Sequence, residues 1–180
     1  DPAPTYIYTL PLHDALPISV RWIGYRDAWS GVADVYLDGI HVTSVDTYST
    51  VAKADVVLYS ASGLPDATHT LAIQVEGAHN SASLGSAVWV GTFDAQLSAG
   101  TPSLTSAATT EAVAASSGGY TRIEQNNAAV NYSGSWTTES STLTANFSGG
   151  SAAESSASAA RATLAFNGTA VRWLGYRESL

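Results

Sequence analysis

The chain has 180 residues, a formal net charge of −8 and only 12% charged side chains. Lys53 is the single lysine against six arginines. That balance argues against nucleic acid as a partner, since phosphate neutralisation needs clustered Lys and Arg. It argues equally against an anionic membrane surface, and no apolar run approaches the roughly 18 residues that span a bilayer.

With no cysteine, disulfide frameworks, thiolate zinc sites and cysteine nucleophiles are excluded as well. Ser, Thr, Ala and Gly fill most non-core positions, a composition that fits many secreted and cell-surface repeats and some cytosolic proteins too.

Residues 1–19 do not read as a signal peptide, because they lack a basic start, an uninterrupted apolar stretch and a small-residue cleavage site. The stretch IYTLPLHDALPIS resembles the translation of a sequencing adapter. The other reading of this segment is an irregular N-terminal arm. An internal repeat begins where it ends. Val20-Arg-Trp-Ile-Gly-Tyr-Arg-Asp27 recurs as Val171-Arg-Trp-Leu-Gly-Tyr-Arg-Glu178, with six of eight positions identical. Aligned on the same offset, residues 1–19 and 152–170 share no identity. The spacing is far longer than that of a solenoid, so each unit is expected to be a whole domain of an array.

From residue 20 the chain reads as strands separated by turn signals. The expected strands cover 20–26, 32–37, 40–48, 55–59, 68–76 and 86–95. Asp38-Gly39 forms a tight hairpin of the type that needs positive φ, and 63–66 and 80–85 are loops. Residues 96–119 have no large side chain for a core and read as a Ser/Thr/Ala-rich linker. Strands resume over 120–124, 128–132, 135–138, 143–147, 161–166 and 170–177. No window carries sustained helical spacing, so helix is expected to be negligible.

Residues 20–95 read as the C-terminal part of one β-sandwich repeat, beginning with the VRW strand. Residues 120–180 read as the N-terminal part of the next, ending with it. Joined, they give about ten strands, enough for two packed antiparallel sheets. The strings NGTAVRWLGYR, GVADVYLDGIHVTSVDTYS, VVLYSASGL and HTLAIQVEG resemble a bacterial β-sandwich repeat of the jelly-roll, galactose-binding-like kind. Such modules are appended to secreted glycosidases and surface proteins. The resemblance implies an all-β fold and leaves the ligand open, because the fold hosts many functions.

No HExxH or GxSxG pattern occurs. His41, His69 and His79 stand singly, and Asp34, Asp38 and Asp46 are accounted for by strand faces and a turn, so no enzyme is expected. Trp22, Trp89 and Trp173 lie on alternating strands and read as core.

Trp29, in the loop RDAWSG, has no evident core to join. With Tyr25, Arg26 and Tyr48 it offers a sugar-stacking surface, although the matching position of the second copy is Leu180. Glu124 and Asp94 are similar to the terminal-strand acids of calcium-stabilised carbohydrate-binding jelly rolls. That resemblance implies a structural calcium, an ion that takes hard oxygen ligands. Asn131, Asn146 and Asn167 head N-glycosylation sequons, and the linker hydroxyls are comparable O-glycosylation candidates.

Two functional expectations stand side by side. One is a non-catalytic, extracellular or cell-surface structural module, adhesive or filament-forming, whose partners are copies of itself. The other is a carbohydrate-binding module whose partners are glycans.

Overall fold

A computed structural model describes residues 18–65, 67–96, 120–140 and 147–167. The linker, Asn146, Trp173 and the second VRW copy lie outside the described residues, as do residues 1–17.

Among the described residues twelve strands are present: β1 (Ile18–Arg26), β2 (Val32–Leu37), β3 (Ile40–Asp46), β4 (Lys53–Leu64), β5 (Thr68–Val75), β6 (Val88–Val90), β7 (Thr92–Ala95), β8 (Thr121–Glu124), β9 (Val130–Ser133), β10 (Thr137–Glu139), β11 (Ala152–Ser155) and β12 (Arg161–Asn167). Every ladder is antiparallel. The only helical element among the described residues is a single 3-10 turn, Ser148–Gly150. The fold is an all-β antiparallel sandwich.

Hydrogen bonding resolves three sheets where two were expected, in the orders β4-β1-β7-β8, β10-β11-β6 and β3-β2-β5-β12-β9. Each contains strands from both sides of the linker. β8 pairs with β7, β11 with β6, and β12 lies between β5 and β9. The two segments therefore complete one another's sheets within a single chain. Alternation supplies the shared core: Val20, Trp22, Val35, Leu71, Ile73, Phe93, Ile123, Leu164 and Phe166 are all fully buried in one cluster. Burial of side chains this large contributes about 1.5–3 kcal/mol each.

The Asp38-Gly39 hairpin has the expected geometry, with φ of 52° and 78°. Other boundaries differ. The strand expected over 86–95 breaks at Gly91, where a Cβ would lie 2.7 Å from the Phe147 ring. β4 runs through Gly63 rather than stopping before it. β1 begins two residues before the edge of the internal repeat, with Ile18 opposite Leu64 and Ser19 opposite Ser62. β11 was not expected at all. Its Ala-Ala-Glu-Ser sequence carries no β-branched or aromatic signal, and small residues suit a strand paired on both sides by β10 and β6.

Candidate saccharide-binding surfaces

After β8 the chain turns through residues 125–129. Asn127 closes this turn: its Oδ1 accepts from the Ala129 N–H at 2.9 Å, and its carbonyl accepts from Val130 N–H at 2.9 Å. β9 follows as an edge of the five-stranded sheet, and β10 as an edge of the three-stranded sheet. Between them Gly134 adopts φ 81°, and a Cβ there would lie 2.8 Å from Ala160 Cα. A glycine is thus required where the chain crosses from one sheet edge to the other.

Beside that crossing lies a groove of about 440 Å³. Its lining includes Asn126, Asn127, Tyr132, Trp136 and Thr138. The Tyr132 and Trp136 rings sit 5.2 Å apart at 58°. Each is anchored by its polar end. Tyr132 Oη donates to the Gln125 carbonyl at 2.9 Å, and Trp136 Nε1 donates to the Ser133 carbonyl at 3.1 Å. Burial pushes the Tyr132 hydroxyl well above its usual pKa, so it stays protonated and keeps donating. Asn126 and Thr138 are exposed, and neither side chain makes a hydrogen bond among the described residues. Sequence reasoning missed this groove, because its walls come from edges of different sheets.

The surface expected around Trp29 is only partly assembled. Trp29 is 58% exposed, beside Leu84 at 64%. Its turn is fixed by Asp27, whose Oδ1 accepts from Trp29 N–H and from Ser30 Oγ. Tyr48 is half-buried on the adjoining loop, bridged to Asp27.

Tyr25 and Arg26 are corrections. Tyr25 is 7% exposed and packs edge-on against Trp89, 5.3 Å away, and against Phe147. Both faces of β1 are covered, so its alternation has no outward side there. Arg26 donates to the carbonyls of Asp46, Thr47 and Tyr48 and so holds a loop rather than a ligand.

The expected calcium cage does not form either. Asp94 is buried, and its two oxygens accept from Arg122 Nε at 2.9 Å and Nη2 at 3.2 Å. Glu124 Oε1 accepts from Ser148 Oγ at 2.6 Å. Glu124 Oε2 and, opposite it on β7, Thr92 Oγ1 are the buried oxygens left without a partner there. A calcium ion takes six to eight oxygens, and this donor set does not fit one. Among the described residues no group of three or more His, Cys, Asp or Glu side chains is arranged to hold a metal.

Ser44, His41 and Asp34 meet on the outer face of β2 and β3. Ser44 Oγ donates to Asp34 Oδ1 at 2.7 Å, and His41 Nε2 contacts the same oxygen at 3.0 Å. Ser44 Oγ also lies 3.4 Å from His41 Nε2, so one ring nitrogen faces both the hydroxyl and the carboxylate, unlike a nucleophile relay, which uses the two ring nitrogens separately. Of the sequons, Asn131 is exposed on β9, while Asn167 ends β12 with its Oδ1 accepting from Thr68 Oγ1.

No family model matches the chain, and no solved structure matches it. A stretch of 55 residues, 31% of the chain, is 47% identical to part of "A type blood alpha-D-galactosamine galactosaminidase" of Flavonifractor plautii. The match spans 5% of that protein's length.

Proposed function

We propose that the chain is a non-catalytic β-sandwich module of a larger extracellular or cell-surface protein, and that it binds saccharide in the groove between β9 and β10. The observation that carries this reading is the groove itself. A pyranose has C–H-rich faces and an equatorial belt of hydroxyls, so it needs an aromatic wall beside free polar groups. Tyr132 and Trp136 supply the wall, and Asn126 and Thr138 supply donors and acceptors. The partial likeness to a galactosaminidase supports a carbohydrate-related setting, and the small fraction of that protein involved suits an accessory module.

Glycan-array screening followed by calorimetry tests the reading. Binding is expected in the range of about 10 μM to 1 mM, roughly −7 to −4 kcal/mol. Asn126→Ala, at an exposed position, should weaken it without moving the melting temperature, and Tyr132→Ala should abolish it. Absence of any glycan ligand at millimolar concentration would overturn the proposal. So would binding that survives both substitutions but is lost in Trp29→Ala.

The recurrence of the VRW strand favours a second reading, an extracellular structural or adhesive array in which copies of the unit associate. Electron microscopy of the concentrated chain tests it, with filaments as the expected outcome and uniformly monomeric particles as the refutation.

A further inference from the structure

β1 occupies an unusually demanding position. It hydrogen-bonds on both sides, with Val20 opposite Ala61 and Ala95, and Trp22 opposite Tyr59 and Phe93. Trp22 is fully buried and donates Nε1–H to the Trp89 carbonyl at 3.1 Å. Gly24 permits the close pass of the same carbonyl: a Cβ there would lie 2.3 Å from it and 2.7 Å from the Leu58 side chain. Tyr25 fills the second cluster against Trp89 and Phe147. Arg26 satisfies three loop carbonyls, and the Arg21 guanidinium lies 3.7 Å over the Tyr120 ring. A strand meeting all of these requirements by accident is improbable.

Residues 171–177 carry the matching side chains in the same order. Val171, Arg172, Trp173, Gly175, Tyr176 and Arg177 repeat Val20, Arg21, Trp22, Gly24, Tyr25 and Arg26, and Leu174 replaces Ile23 with no change in side-chain size. Connectivity also allows it. β12 ends at Asn167 opposite Thr68, and the open end of the β1 position lies where Ile18 meets Leu64, four residues along the same connection. Gly168, Thr169 and Ala170 would join Asn167 to Val171. Val171 would stand where Val20 does, opposite Ala61, so the link must cover the roughly 10 Å between packed sheets and about 7 Å along the strand, about 12 Å in all, within the about 14 Å that four backbone steps reach.

We propose that the position between β4 and β7 is a strand-exchange site whose second occupant is Val171–Arg177 of the same chain. Occupation by the second copy releases β1 and everything before it, while leaving every core contact of the sandwich with an equivalent side chain. The exchange is independent of the saccharide reading and needs no second molecule.

Valine at the close-approach glycine tests this in the full chain. Gly24→Val disables the first copy, Gly175→Val the second, and the double variant both. Each single variant is expected to melt cooperatively within a few degrees of the parent and to elute as a monomer, and the double variant to lose its cooperative transition. If Gly24→Val is as damaged as the double variant, the site accepts only residues 20–26 and the proposal fails. A double variant that melts like the singles overturns it too. Folding of Gly24→Val only as a dimer or larger species would place the second occupant on a neighbouring molecule and overturn the same-chain assignment.

A trapping measurement guards against indirect effects. The parent has no cysteine, so Ala95→Cys with Val171→Cys in the Gly24→Val background should form an intrachain disulfide, detected by mass spectrometry. Its absence under oxidising conditions would count against the exchange.

Discussion

Replacing Arg122 by leucine should be among the most damaging single changes outside the apolar core. The guanidinium grips Asp94 through two nitrogens, and Asp94 is 3% exposed. The bidentate bonds to Asp94 are the main reason Arg122 holds its proton more tightly than usual, with Asp55 and Glu124 adding to the attraction. Without the cation, a buried carboxylate loses its counter-charge and is left facing two other acids. Breaking a fully buried pair by removing one partner costs about 3–5 kcal/mol. The Arg122 side chain retains 27% exposure, so water reaches the site in part and about 2–4 kcal/mol is the better expectation. For a domain of this size that lowers the melting midpoint by roughly 10–15 °C.

Differential scanning calorimetry of Arg122→Leu, Asp94→Asn and the double variant separates the charge effect from packing. The double variant should be less damaged than Arg122→Leu alone, because no unpaired buried charge remains. A chelator should leave the parent's midpoint unchanged, since the guanidinium already engages Asp94. An Arg122→Leu stability within about 1 kcal/mol of the parent's, or a midpoint that falls on chelation, would refute this account of the β7–β8 junction.

Stability should also depend on His69. Burial alone would lower its pKa, but bonds to the Pro65 carbonyl and to Asp38 outweigh burial and raise it. A raised folded-state value means the extra stability is fully present below the unfolded value near 6.5 and is lost as pH climbs through the folded value. Melting midpoints measured across this range should therefore fall with rising pH in the parent, and the fall should flatten in His69→Gln. Gly134→Ala should destabilise by about 2 kcal/mol or more, through positive φ and contact with Ala160, as read by chemical denaturation. Trp29→Ala should change stability by no more than about 0.5 kcal/mol, the usual range for an exposed side chain.

The long strands were legible because their side chains alternate and their turns carry the right residues. Val32–Leu37 returns through Asp38-Gly39 as expected, and Asp38 gains a second task there, accepting from Thr70 N–H and from His69. Ambiguity arose where a strand is covered on both faces. In VRWIGYR, Trp22 and Tyr25 both point into clusters, so a pattern read as one-sided suggested a free Tyr25. The Arg122–Asp94 pair was not legible, because its members are 28 residues apart across a linker that carries no pairing signal. The groove was invisible for a related reason: only Gly134 marks the point where β9 and β10 part company into different sheets.

The two candidate surfaces differ in which polar groups the fold leaves unengaged, and this difference favours the groove. At the loop end, Asp46 accepts from Tyr48 N–H and Asn80 Nδ2, Asn80 Oδ1 accepts from Ala82 N–H, and Ser83 Oγ is held by the loop backbone. Asp27 and Arg26 are engaged in the same way. The large side chains left outward there are Trp29 and Leu84, a surface able to stack but whose charged and amide groups are already engaged by the loops. In the groove the aromatic pair satisfies its own polar ends on the backbone, which leaves the side chains of Asn126 and Thr138 available beside it. A ligand that is apolar on its faces and hydroxylated around its rim matches the second arrangement and not the first.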